Sequence, residues 1–266
     1  MAKFYQEAEL KKIQEFELGI LSDFMKICDE NGLRYFAFAG TGIGAVRHKG
    51  FIPWDDDIDI QMTRPDYEKF LNLFPAYAKQ NGLMVVNHTT KPYYGRNFSK
   101  IIDCDTVLIE PQYKTDDPIG VFVDIWPLDG LPENKVKRYF YDKRAVLLSK
   151  LILASSMKKD KSLSFFKRAA IFFAGMFNPH KLVLKLERMA KKYPVERSKF
   201  IKCYLAGSFI FSRDEYKEKI LLPFEDTEFF APAEYDLILK KEYGNYMQLP
   251  PLEERVPHHV INTYYK

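Results

Sequence analysis

Leu10, Ile13, Phe16, Leu18, Leu21, Phe24, Met25 and Cys28 fall mostly along one stripe at helical spacing, which predicts an amphipathic helix over residues 6 to 30. Asn31-Gly32 then stops it. Residues 33 to 39 are apolar and aromatic, and read as a strand that leads into a turn at Gly40. Residues 43 to 47 have room for a short helix whose N-terminal amides would face a phosphate. Residues 52 to 62 read as an acidic strand. Residues 65 to 78 read as a helix with Tyr67, Phe70, Leu71 and Phe74 inward. Residues 83 to 87, 97 to 102, 106 to 109 and 121 to 126 read as strands. Strand and helix alternate through this half, the pattern of an α/β or α+β fold. From 136 to 193 helical periodicity takes over, interrupted at Asn178-Pro179, and predicts two or three helices. Mixed elements follow at 209 to 222 and 235 to 242, with Pro223, Pro232 and Pro250-Pro251 as breakers. No internal repeat is visible. The expectation is one compact domain over residues 1 to 266, with a helical insertion at 131 to 200.

Composition narrows the class. Of 266 residues, 47% are hydrophobic, enough for a sizeable core. The three cysteines, Cys28, Cys104 and Cys203, lie far apart with no CxxC or Cys/His ligand spacing, so neither structural disulfides nor zinc are expected. No apolar leader is visible at the N-terminus, and apolar runs such as 169 to 177 are too short to span a bilayer. A cytoplasmic location is expected. The net charge of +4 is unevenly placed. Residues 135 to 202 hold 19 Lys/Arg against four acids, 19 − 4 = +15, which leaves about −11 for the remainder. That asymmetry points to an anionic partner. Phe165-Phe166-Lys167-Arg168 beside Ile171-Phe172-Phe173 has the makings of an interfacial helix, and predicts peripheral contact with the inner face of the plasma membrane. The competing expectation is a solvated helical cover on the sheet.

The most informative stretch is residues 40 to 60, GTGIGAVRHKGFIPWDDDIDI. Asp55, Asp56, Asp57 and Asp59 crowd together and repel. In a strand, Ile58 and Ile60 share one face while Asp57 and Asp59 share the other. Asp55 joins them if the strand extends that far, and Asp56 points away. Hard divalent cations take oxygen ligands, so Mg²⁺ or Mn²⁺ is the expected neutraliser. In residues 121 to 126, Asp124 is a lone acid between Phe122 and Trp126 on one strand face, costly unless paired or metal-bound. Three carboxylates, Asp57, Asp59 and Asp124, would hold one or two cations for phosphoryl chemistry, with Asp124 the candidate proton acceptor. Gly40, Thr41 and Gly44 would let backbone amides approach a phosphate, and Arg47 and His48 follow at once. Lys100 would neutralise a diphosphate. Trp54 and Trp126 flank the aspartates and would offer faces to a quaternary ammonium, with Tyr93, Tyr94 and Glu110 as further candidates. The alternative for the tryptophans is core packing, and for His48 a solvated turn.

The run from Gly40 to Ile60 resembles the signature of the LicD family of phosphocholine transferases. Arg64-Pro65-Asp66-Tyr67, residues 120 to 129, and residues 243 to 251 with Arg255 and His258 resemble its later blocks. The wider fold implied is that of DNA polymerase beta-like nucleotidyltransferases: a mixed sheet core, here with a helical insertion. The resemblance implies a CDP-activated donor, most simply CDP-choline. It implies a sugar hydroxyl on a cell-surface glycopolymer precursor, of teichoic acid or lipopolysaccharide type, lipid-linked or free, as acceptor. CMP would leave. It also implies a binding role for Arg255 and His258, against a solvated tail. A CDP-alditol donor, nucleotidyl transfer from an NTP, and a non-enzymatic membrane adaptor are the alternatives. No nucleic-acid partner is expected.

Overall fold

A computed structural model describes residues 7–91, 94–109, 113–114, 119–158, 163–204, 209–257 and 262–265. The first half runs α1 (Glu7–Glu30), β1 (Phe36–Ala37), α2 (Ala39–Arg47), β2 (Ile58–Thr63), α3 (Arg64–Gln80), β3 (Leu83–Val86), β4 (Ser99–Asp103), β5 (Thr106–Ile109) and β6 (Phe122–Gly130). Three helices follow: α4 (Lys135–Ser156), α5 (Phe165–Ala174) and α6 (Pro179–Ala190). Then come β7 (Phe200–Cys203), β8 (Phe211–Ser212), β9 (Lys219–Phe224), β10 (Thr227–Pro232), α7 (Tyr235–Tyr243) and β11 (Asn262–Tyr265). This is the α+β class that the alternation predicts.

The main sheet is mixed, in the order β1-β2-β6-β4-β3, with β7 and β8 continuing from β6. Only the β2–β6 pair is parallel; the other pairs are antiparallel. β6 is the centre, and all nine of its residues are buried. One edge of β6 serves two partners in succession, β4 along Phe122 to Ile125 and β7 along Leu128 to Gly130. Pro127 falls between those two ladders, where its missing N–H costs no bond on that edge. β6 therefore runs four residues beyond its predicted end at 126.

Helices α1 and α3 cover one face. Phe24 of α1 meets Phe70 of α3 with ring centroids 5.0 Å apart, over Ile58, Ile60, Val123 and Ile125. α1 ends where Gly32 takes φ +63, a conformation cheap only for glycine. α4 and α6 build a second core around Leu148, Ile152, Val183 and Leu186, and α5 packs against α4. Each of α4 and α6 starts at a side-chain cap, Asn134 accepting from Lys137 N and Asn178 from Lys181 N. Pro223 and Pro232, read as breakers, instead lie inside a β9–β10 hairpin. That sheet has two strands only, so each has an open edge that tolerates proline. Residues 262–265 pair with β5 as β11.

A buried ionic clasp ties this helical layer to the sheet. Arg64, at the start of α3, donates to both carboxylate oxygens of Asp129 on β6 at 2.7 and 2.8 Å, and to Glu187 on α6 at 3.2 Å. Lys202 on β7 pairs with Asp142 on α4 at 2.7 Å. Removing one partner of a buried pair leaves the other charge uncompensated. Arg64→Met is therefore expected to lower stability by about 3–5 kcal/mol in urea unfolding. Adding Asp129→Leu to that variant should recover part of the loss, since it removes the stranded acid.

Candidate active site

Three side chains form one row across the sheet. Asp59 on β2 is the register partner of Asp124 on β6, and Asp124 is the partner of Lys100 on β4. Cross-strand partners project to the same face, so the row places two acids and one base side by side. Lys100, 1% exposed, donates to Asp124 Oδ1 at 2.7 Å and lies over the Phe122 ring. It is thus paired with Asp124, beside which it was expected to neutralise a diphosphate. Asp59 accepts from the Trp126 indole Nε1 at 2.7 Å. Its backbone is clamped as well: its N–H donates to Thr41 Oγ1 at 2.8 Å, and its carbonyl accepts from Phe38 N at 3.0 Å. Burial, and then the negative charges of Asp57 and Asp124, hold the Asp59 carboxyl well above the usual carboxylate range; the Trp126 bond acts in the opposite sense.

The other three aspartates do not sit on the strand. A turn at Pro53-Trp54, closed by Asp55 N to Ile52 O at 2.8 Å, delays β2 until Ile58. Strand parity therefore does not apply to Asp55, Asp56 and Asp57. Each contributes a carboxylate oxygen to a group within 4.8 Å of one another, and Asp56 joins this cluster rather than pointing away. All donors are oxygens and at least formally anionic, the set that suits a hard divalent cation.

The glycine-rich stretch is helix rather than turn. α2 begins at Ala39, so Gly40 to Gly44 lie in its first turns. A Cβ on Gly40 would sit 2.5 Å from Asp55 Oδ2, so the missing side chain makes room for that carboxylate beside a helix N-terminus, where anions are favoured. A Cβ on Gly44 would meet Gly50 O at 2.4 Å. Gly44 thus serves the packing of the following turn, and Thr41 serves the Asp59 strand.

Arg47, His48, Trp54 and Arg255 come together from the two ends of the chain. Arg47 Nε donates to His48 Nε2 at 2.9 Å and Nη1 to Tyr246 O at 2.6 Å. Burial lowers the proton affinity of both Arg47 and His48; Arg255 adds to the first shift and Arg47 to the second. The Arg255 guanidinium lies 5.5 Å from the Trp54 ring centroid, so a cation already occupies that aromatic face. Trp126 is 5% exposed and stacked on Phe98 with centroids 3.7 Å apart. It positions Asp59 from the core, in the packing place that is the alternative to an aromatic cage. Tyr94 is buried beside Phe98. Tyr93, Glu110 and His258 lie outside the described residues.

Sequence reasoning missed Glu17. This α1 residue is 1% exposed, and its Oε2 has no hydrogen-bond partner among the described residues. Burial raises its pKa well above the ordinary value, and the charges of Asp57, Asp56, Asp55 and Asp124 raise it further. The signal was available: Glu17 stands four residues from both Ile13 and Leu21, inside the apolar stripe. In the unfolded chain a glutamate titrates near about 4.3. Above that pH the native state keeps a proton that the unfolded state loses, so stability falls as pH rises towards the native value. Without divalent cation, melting temperature is expected to drop from about pH 5 to about pH 8, and Glu17→Gln should flatten that slope. An unchanged slope in the variant would remove Glu17 from the acidic cluster.

Residues 32–153 match the family model described as LicD/FKTN/FKRP, nucleotidyltransferase domain. The match encloses α2, β2, β4 and β6, hence the whole row of Asp59, Asp124 and Lys100. The chain is 29% identical over 262 residues to the lipopolysaccharide cholinephosphotransferase LicD of Haemophilus influenzae, covering 96% of this chain and 97% of the relative. It is also 29% identical over 134 residues to an uncharacterised protein of Rickettsia typhi, covering 50% of this chain and 40% of the relative. Over residues 32–153 through the family model, and along nearly its full length through the Haemophilus relative, the chain is similar to the LicD family.

Proposed function

We propose that the protein transfers phosphocholine from CDP-choline to a sugar hydroxyl of a cell-surface glycan precursor, releasing CMP. The observation that carries this reading is the similarity to a lipopolysaccharide cholinephosphotransferase over 96% of this chain. The site's chemistry supports it. Phosphoryl transfer asks mainly for positioning and for charge stabilisation of phosphate oxygens. Asp57, Asp59 and Asp124 would hold Mg²⁺ or Mn²⁺, which when bound supplies Lewis-acid stabilisation of those oxygens. Trp126 and Thr41 fix Asp59, and Lys100 fixes Asp124. Arg47 and Arg255 line a cationic rim beside Asp55 that suits the donor's diphosphate. The acceptor oxygen forms its bond to the phosphorus bearing choline as that phosphorus parts from the oxygen of CMP. The hydroxyl proton passes to Asp124, whose orientation is set by Lys100.

A second reading, nucleotidyl transfer from an NTP, is favoured by the description of the matching family model. The two differ in the phosphorus attacked and in the product released. Purified protein with Mg²⁺ and a glycan acceptor is offered CDP-choline, CDP-ribitol, CDP-glycerol or NTPs, and CMP and pyrophosphate are counted. Acceptor-dependent CMP release from CDP-choline is the expected outcome; pyrophosphate release from an NTP would replace the proposal with the second reading. Asp57→Ala and Asp59→Ala are each expected to slow turnover about 10³-fold, several kcal/mol of lost charge stabilisation. A near-normal rate in either would refute its assignment.

A further inference from the structure

Helix α5 carries its apolar side chains on the outside. Ile171 and Ala174 are its buried residues, and they mark the face turned to the protein. At roughly 100° per residue, Phe165, Phe166, Phe172 and Phe173 fall on the opposite arc. They are 75%, 83%, 54% and 62% exposed, and Met176 and Phe177 extend the arc just beyond the helix. A solvated cover would place polar residues there. The neighbouring α4 presents Val136, Phe140, Leu147 and Leu153 outward in the same way, interleaved with exposed Lys143, Arg144 and Lys150.

From residue 143 onward the charge around these side chains has one sign. Among the described residues from 143 to 186 there are eight Lys/Arg and no acid, and all eight are exposed: Lys143, Arg144, Lys150, Lys158, Lys167, Arg168, Lys181 and Lys185. A second copy docking through this surface would bring like charges together. An extended anionic surface with an apolar layer beneath satisfies both features, and a bilayer containing anionic lipid is such a surface. No helix among the described residues is long and apolar enough to cross a membrane, so the contact is one that lies on the bilayer.

We propose that α5 and the outward stripe of α4 form a docking surface for an anionic lipid bilayer, with the phenylalanines inserted at the interface and the basic side chains at the headgroups. The surface lies close to the catalytic sheet. Ser156, the last residue of α4, donates to Gly95 O at 3.3 Å, and the segment after Gly95 carries Phe98 onto Trp126. The inference is independent of the transfer reaction and of the donor.

The test is flotation of the full chain on phosphatidylcholine vesicles with and without phosphatidylglycerol, together with light scattering for its mass in solution. Binding is expected on the anionic vesicles at low salt and release at high salt. A basic residue near such a surface is worth about fivefold in partition, so Lys167→Glu with Arg168→Glu should weaken binding about 25-fold or more. Phe172→Ser with Phe173→Ser should weaken it at both salt concentrations. All four positions are exposed, so melting temperatures should match the parent chain. Absence of flotation at low salt, or equal flotation on neutral vesicles, overturns the proposal. So does a dimer that Phe172→Ser with Phe173→Ser dissociates, because a second copy would then be what covers this face.

Discussion

Crowding of like charge at one end of the central strands is the constraint from which most of this structure follows. Glu17, Asp55, Asp56, Asp57, Asp59 and Asp124 converge there, and burial adds to their mutual repulsion. Two carboxylates about 4 Å apart repel by roughly 4 kcal/mol at an effective dielectric of about 20. A domain's whole stability is only about 5–15 kcal/mol, so a few such contacts are intolerable without compensation. Lys100 compensates Asp124 directly, at 2.7 Å. Asp59 keeps an indole N–H but, among the described residues, no cation of its own, and its raised proton affinity records the deficit. A divalent ion would supply what one buried ammonium does not.

The scaffold answers that constraint with rigidity. Asp59 is held through its backbone at both ends and through its side chain by Trp126, itself packed between Phe98 and Phe38. The central strand that carries Asp124 is flanked on both edges and buried along its length. Five residues beyond Asp124, the same strand reaches Asp129 and the Arg64 clasp, which anchors the helical layer. The layer that faces outward with aromatic and basic side chains is thereby fixed to the strand that carries Asp124.

Much of this was legible in the sequence, and the reasons for the rest are physical. The α1 stripe, the whole of β5, and the α6 start at Asn178-Pro179 followed from periodicity and capping. So did the placement of Asp59 and Asp124 on buried strands, although not that these strands are neighbours in register. The extended reading of 33 to 39 shrank to Phe36–Ala37 because α2 already begins at Ala39, entered through a positive φ of 47 that no pattern announces at an alanine. The acidic strand lost its first residues to the Pro53-Trp54 turn, which released Asp56 from strand parity. Lys100, Trp126 and Thr41 were singled out for substrate and proved to hold aspartates, because their partners lie across strands, or many residues away along the chain. Glu17 lay in plain view on a helix stripe, but its neighbours are some 40 residues distant.

The most direct test of the account is divalent-cation binding itself, measured by titration calorimetry with Mg²⁺ and by Mn²⁺ electron paramagnetic resonance in the absence of any substrate. The account predicts a saturable site in the parent chain that is lost in Asp59→Asn and in Asp57→Asn, with both variants still folded. A parent chain that binds neither ion with CDP-choline present or absent would contradict it, as would an Asp59→Asn variant that binds them as tightly as the parent.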